Sequence, residues 1–197
     1  MDRVIICGGL VIECLLGLLC LKYAFSKRKY MRWGAIVCFA IYFCGFLYFT
    51  FFSREAEQET FAMLQPLRAY KLAFTFDSGF LHVIKQIFTE GPRVGFDSIH
   101  IESTETLEGI ILNILLFVPF GYMLPCIFRK MQKALWGVVL IGFVCSLLTE
   151  TVQLVTNLGW FDLDDLLNNT IGCIVGVVFY GVFLRERKME VSEEAAT

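Results

Sequence analysis

The sequence predicts an all-α membrane protein of about five transmembrane helices, with an outer amphipathic lid segment between spans two and three. Two observations carry this. Apolar residues gather in blocks of about 20, the length a helix needs to cross the hydrocarbon core. Basic residues gather between alternate blocks, as they do on the cytoplasmic side of a bilayer. Composition agrees: the chain is 57% hydrophobic with a mean hydropathy of +0.66, well above an ordinary soluble domain.

The first span is expected at 4–25. That block is too long for a secretory signal core, and its positive charges follow it instead of preceding it, which reads as a retained helix. The second is expected at 33–52, ending at Ser53, Arg54 and Glu55, and a long mixed segment, 53–106, follows. The third, fourth and fifth spans are expected at 107–128, 135–158 and 163–184. Residues 1–187 then form one transmembrane domain, and 188–197 read as a short disordered acidic tail.

Lys27, Arg28, Lys29 and Arg32 lie between spans one and two; Arg129, Lys130 and Lys133 lie between three and four; Arg185, Arg187 and Lys188 follow five. The positive-inside rule puts these clusters in the cytoplasm. The N-terminus, the 53–106 segment and the 159–165 turn then face outward, and the C-terminus is cytoplasmic. Within the outer segment, Phe80, Leu81, Val83, Ile84, Ile87 and Phe88 have the near-helical spacing of an interfacial amphipathic piece. Pro66, Gly79, Gly91 and Pro92 mark turns. A lid lying on the outer leaflet accounts for this composition, whether or not it grips a substrate.

A net charge of −2 with no basic face argues against a nucleic-acid partner. The eight cysteines fall in or at the ends of apolar stretches and form no CxxC pair, and the histidines, His82 and His100, are remote in sequence. They read as small packing residues, and neither a metal nor another cofactor is expected.

Polar residues inside the spans are the informative feature. Glu150 and Gln153 sit within the fourth apolar run, where an ionised carboxylate costs several kcal/mol unless it is paired, wetted or used. Counting helix rise from the outer ends, Glu13 lies roughly 13 Å deep, Asn113 and Asn169 roughly 9 Å, and Glu150 and Gln153 roughly 12 and 8 Å. Glu150 and Gln153 are i, i+3 and share a face. Asp162, Asp165 and Asn169 follow i, i+3, i+7 and also share one. Asp162 is placed to cap the fifth helix, with Asp165 at its third position. Gly172 and Gly176 form a small-xxx-small pair that permits close helix approach. Pro119 sits mid-span, either as a tolerated kink or as an opening beside Asn113. Each feature has a bland counterpart: caps for the aspartates, interhelical hydrogen bonds for Asn113 and Asn169, and snorkelling to the interface for Glu13.

The run NILLFVPFGYMLP, then SLLTETVQL, then GWFDLDDLLNNTIGCIVG, resembles the VanZ-like family of bacterial membrane proteins, and LQPLRAYKLAF resembles that family's first outer-loop motif. The likeness runs from about Phe51 to Gly181. It implies that Arg68, Asn113, Glu150, Gln153, Asp162, Asp165 and Asn169 are the polar family positions, and Pro66, Pro119, Gly121 and Gly172 its proline and glycine positions. Many members have an arginine just before the aromatic-Asp pair, where this chain has Gly159 and Trp160. The resemblance also implies an association with low-level resistance to the glycopeptide teicoplanin.

The leading expectation is that the outer polar layer binds or modulates a cell-envelope amphiphile, either a lipid-linked cell-wall precursor or a glycopeptide antibiotic, with Arg68 as an anion anchor. The alternatives are a membrane-embedded enzyme acting on a lipid head group or cell-wall intermediate through Glu150 and Asp165, and a scaffold whose polar layer only locks helix register. A transporter fits less well, because no internal repeat supplies alternating-access symmetry.

Overall fold

The computed structural model describes residues 31–52, 61–76, 85, 88–90, 99–128 and 130–194. The expected first span at 4–25, with Glu13, lies outside the described residues, as does most of the second half of the outer segment. Among the described residues four helices are long and apolar enough to cross a membrane: Trp33–Phe52, Thr104–Ile127, Leu135–Thr156 and Leu163–Val182. These are the expected second to fifth spans, with ends displaced by a few residues.

The chain divides into two units, with the boundaries at Leu64 and within the second of these helices at Leu112. In the first unit, α1 (Met31–Leu47) ends in a π-helical turn, Tyr48–Phe52. Strand β1 is Ala62–Met63. The larger part of α3 (Thr104–Ile127) follows, then a 3-10 turn at Met131–Lys133, α4 (Leu135–Thr156), strand β4 (Phe161–Asp162) and α5 (Leu163–Glu194).

The helices of this unit are inside-out relative to a soluble bundle. On α4 the buried stripe is Val138, Gly142, Ser146, Thr149, Glu150 and Gln153, at helical spacing. Trp136, Leu140, Phe143, Leu148 and Val155 stand on the exposed face. Helix α5 likewise exposes Ile171, Ile174, Val178, Phe179 and Val182. In water each such side chain would forgo roughly 1.5–3 kcal/mol of burial. Continuous stripes of them require an apolar solvent. This is an all-α membrane protein.

Its core is aromatic. Tyr42, Phe46, Phe117 and Phe120 pack together, Phe46 and Phe117 edge to face at 5.4 Å, and the Tyr42 hydroxyl donates to the Leu116 carbonyl at 2.8 Å. Helix α3 runs unbroken through Pro119 and Pro125, both fully buried. A side chain supports the second proline's turn, since Gln132 Nε2 donates to the Pro125 carbonyl at 3.0 Å. Helices α3 and α5 meet backbone to backbone. A Cβ on Gly172 would strike the Ile114 carbonyl, one on Gly176 the Val118 carbonyl, and one on Gly121 the Cys173 carbonyl. The close approach expected of Gly172 and Gly176 is realised, and Gly121 supplies its other side.

Helix α5 departs from expectation at its end. It continues to Glu194, through the stretch read from sequence as a disordered tail at 188–197. The extension, RERKMEVSEE, is rich in strong helix formers, so a helix already nucleated in the membrane propagates into it at little cost.

The second unit, Gln65–Leu112, holds α2 (Arg68–Ala73), β2 (Phe74–Phe76) and β3 (Ile99–Ile101). The strands pair antiparallel, Thr75 opposite His100, and the Glu102 N–H extends the ladder to the Ala73 carbonyl at 2.9 Å. Leu67 enters α2 from the left-handed region (φ 60), which costs a non-glycine residue roughly 1–2 kcal/mol. Ser103 Oγ then accepts the Thr106 N–H at 3.3 Å and starts α3. The sequence reading anticipated no strands here. Of the expected amphipathic piece only Lys85 and Phe88 fall among the described residues, near a helical turn in which Thr89 Oγ1 donates to the Lys85 carbonyl at 2.9 Å.

Candidate functional site: a buried polar layer

The site begins with how α4 stops. Asn157 adopts the left-handed conformation (φ 57), the Leu158 N–H returns to the Gln153 carbonyl at 2.9 Å, and the Asn157 N–H bonds the Leu154 carbonyl at 3.4 Å. This double closure is the Schellman arrangement, with asparagine in glycine's usual place. It ends the helix two residues before the expected boundary at 158 and turns the chain back across the bundle.

The returning chain forms β4, which pairs in parallel with β1: Ala62 stands opposite Phe161 and Met63 opposite Asp162. The Phe161 N–H donates to the Phe61 carbonyl at 3.1 Å, and the Phe61 and Trp160 rings meet edge to face at 5.9 Å. Trp160 stands just before the strand, at the position where the family resemblance leads an arginine to be expected. Here the position makes an aromatic contact across the strand pair.

Asp162 links this rim to the helices on both sides. Its Oδ1 accepts the Asp164 N–H at 2.8 Å, the capping bond for the first turn of α5. Its own N–H donates to Glu150 Oε2 at 3.1 Å. Replacing Asp162 with alanine is expected to remove the cap and lower stability by about 1 kcal/mol. Thermal unfolding of the detergent-solubilised variant against the parent measures the loss.

Below the rim, polar groups from three elements are buried together. Gln153 Nε2 donates to the Thr50 carbonyl in the π turn at 3.1 Å, and Asn169 Nδ2 donates to Ser146 Oγ at 2.9 Å. Glu150 and Gln153 are each 2% exposed and Asn169 3%. Thr50 and Ser146, not singled out from sequence, are as deeply buried. Ser146 had a legible signal, since it lies one turn before Glu150 and two before Gln153 on the same stripe. Thr50 had none, because its role depends on the chain returning from a helix 103 residues away in sequence.

The expected residues divide. Glu150, Gln153 and Asn169 face inward. Asp162 is half-buried at the rim. Asn113 is half-buried within α3. Asp165 is half-buried, and the fully buried carboxylate in the first turn of α5 is Asp164, with Asn168 one turn beyond it. For the aspartates the buried position is one residue from the one expected, whereas Asn168 and Asn169 are both buried. A helix entered through a strand takes its rotation from the strand, and that rotation buries Asp164 more deeply than Asp165. Arg68 belongs to the second unit, where it is the half-buried first residue of α2. Among the described residues, no three His, Cys, Asp or Glu side chains converge as metal ligands.

Apolar faces turned outward around a buried stripe of carboxylate, amide and hydroxyl groups define a polytopic α-helical membrane protein with a polar layer built into its helices. The chain belongs to the VanZ/LLP1 family, whose model matches residues 39–184. It is similar to Protein VanZ of Enterococcus faecium, with 30% identity over 83 residues, 41% of this chain and 48% of the relative. The matched stretch thus spans about half the length of that curated relative. No solved structure matches.

Proposed function

We propose that the polar layer lies in the outer leaflet and binds or modulates a cell-envelope amphiphile, a lipid-linked cell-wall precursor or a glycopeptide antibiotic, and so changes susceptibility to teicoplanin-type compounds. One observation carries the reading. A layer serving only to lock helix register would be expected to satisfy its own polar atoms, yet Thr50 Oγ1 and Asn169 Oδ1 are buried without a hydrogen-bond partner among the described residues. In hydrocarbon such atoms are costly unless something else meets them. Membership of the VanZ/LLP1 family supports the link to glycopeptides.

The orientation behind this reading has its own test. With Ser78→Cys and Glu190→Cys variants in intact cells, an impermeant maleimide is expected to label position 78 and spare 190. The reverse pattern would put the layer in the inner leaflet. Binding is tested with the protein in nanodiscs, using radiolabelled lipid-linked precursor and teicoplanin as separate probes. Saturable binding of either one that Glu150→Gln abolishes is the expected result. A chemically altered head group recovered from the incubation would move the reading to an enzyme using Glu150. No binding of either, with a fully stable Glu150→Gln variant, would leave the layer as scaffold.

A further inference from the structure

Every inward-facing residue of the polar layer is closed off, so a ligand needs an entrance, and the packing of the first unit limits where it lies. Between α3 and α5 the seam is sealed by Gly121, Gly172 and Gly176, whose Cβ positions are already filled by facing backbone. Between α4 and α5, Gly142 leaves no room for a Cβ against the Cys173 side chain, and Cys173 Sγ bonds the Val138 carbonyl at 3.6 Å. These helix seams cannot part without moving whole helices. The rim is different. Strands β1 and β4 are two residues each, and β4 is tied to Glu150, which accepts the Asp162 N–H. Strand pairs this short are marginal by themselves. Phe61 and Trp160, which brace it, are 51% and 41% exposed, the placement of side chains at a membrane interface.

We propose that the β1–β4 pair is the gate of the buried polar layer, and that the head group it admits is a hydrogen-bonding hydroxyl or amide taken up by Thr50 and Asn169. This rests on the function proposed above and adds its entrance and its contact residues. The two contacts flank Glu150 along α4. Thr50 joins at Gln153 and Asn169 at Ser146, seven residues apart and hence about 10 Å by helix rise. Each brings one buried atom with no partner among the described residues, Thr50 Oγ1 and Asn169 Oδ1. The hydrogen bonds already made, Gln153 to the Thr50 carbonyl and Asn169 to Ser146, hold those two residues in place for an arriving ligand. Opening separates β4 from β1 and breaks the bond from the Phe161 N–H to the Phe61 carbonyl, while the seams beneath stay shut.

The test uses the full chain in liposomes, with Thr149→Cys, on the buried stripe beside Glu150, as the reporter and parallel samples lacking it as the background for the native cysteines. Ala62→Cys with Phe161→Cys ties the gate, because paired strands lie about 4.8 Å apart, within disulfide reach. Trp160→Ala loosens it. The rate of reporter labelling by a small impermeant maleimide is expected to fall roughly tenfold or more when the gate is tied and to rise several-fold in Trp160→Ala. Labelling that is the same in the tied, parent and loosened proteins would overturn the gate. With the gate free, a polyprenyl-linked acetamido sugar and teicoplanin are added separately. Protection of the reporter by one of them identifies the source of the head group, and protection by neither overturns the uptake of a head group by Thr50 and Asn169. Gate-dependent labelling in a protein whose antibiotic response is unmoved by Glu150→Gln would sink the proposed function and leave the gate standing.

Discussion

Gly172→Val is expected to cost the protein its folded bundle. The new side chain would enter space held by the Ile114 carbonyl, which belongs to backbone and cannot swing aside as a flexible side chain would. Overpacking in a fitted core costs roughly 1–3 kcal/mol when neighbours can repack, and here α3 and α5 would have to separate along their whole contact. Loss of monodisperse material on detergent extraction is the expected readout, with a fall in the unfolding midpoint for the milder Gly172→Ala. Gly181→Ala is the control, since its Cβ would meet nothing within 4 Å. In a helix that exchange should stabilise by roughly 0.5–1 kcal/mol. A Gly172→Val protein that extracts and unfolds like the parent would show that the α3–α5 seam is looser than its geometry.

On the function proposed above, Glu150→Gln is expected to abolish protection against a teicoplanin-type antibiotic while leaving insertion and thermal stability near the parent's. Glutamine keeps the length of the side chain and a carbonyl oxygen to receive the Asp162 N–H, so the bond at 3.1 Å that ties the rim to α4 survives. The ionisable group, with its charge and acidic proton, is lost. Glu150→Leu separates the two roles. It leaves the Asp162 N–H without that acceptor and should cost roughly a further 1–3 kcal/mol, visible as a lower unfolding midpoint. Equal stability of the Gln and Leu variants would show that the tie to the rim is unimportant. Full protection in a Glu150→Gln strain with normal membrane levels would end the functional reading of the layer.

Much of this protein is legible in its sequence because the bilayer is a severe solvent. It demands about 20 apolar residues per helix and leaves every backbone polar group to be satisfied within the helix. Spans can therefore be read from composition alone, and the described helices overlap the expected second to fifth spans. Cost in hydrocarbon also makes a lone carboxylate conspicuous, which is why Glu150 and Gln153 stand out and why both turn inward. The small-residue pair Gly172 and Gly176 is legible for the same reason, because little besides close packing explains two glycines one turn apart in a membrane helix.

What local sequence could not supply is the rotation and meeting of elements remote along the chain. The doublets Asp164-Asp165 and Asn168-Asn169 give two candidate faces about 100° apart, and helix periodicity from Asp162 selects Asp165. The rotation is set where α5 leaves β4, and β4 is oriented by β1, from a distant part of the chain. Thr50 joins the layer for a similar reason, through the carbonyl it offers to Gln153 from the π turn. Asn157 ends α4 by a backbone conformation more usual for glycine. Spans and the cost of a buried charge are properties of a segment in its solvent, so the sequence by itself determined them. Which of two adjacent aspartates faces inward, and which distant backbone carbonyl meets Gln153, depend on contacts between segments, and only the tertiary structure decided them.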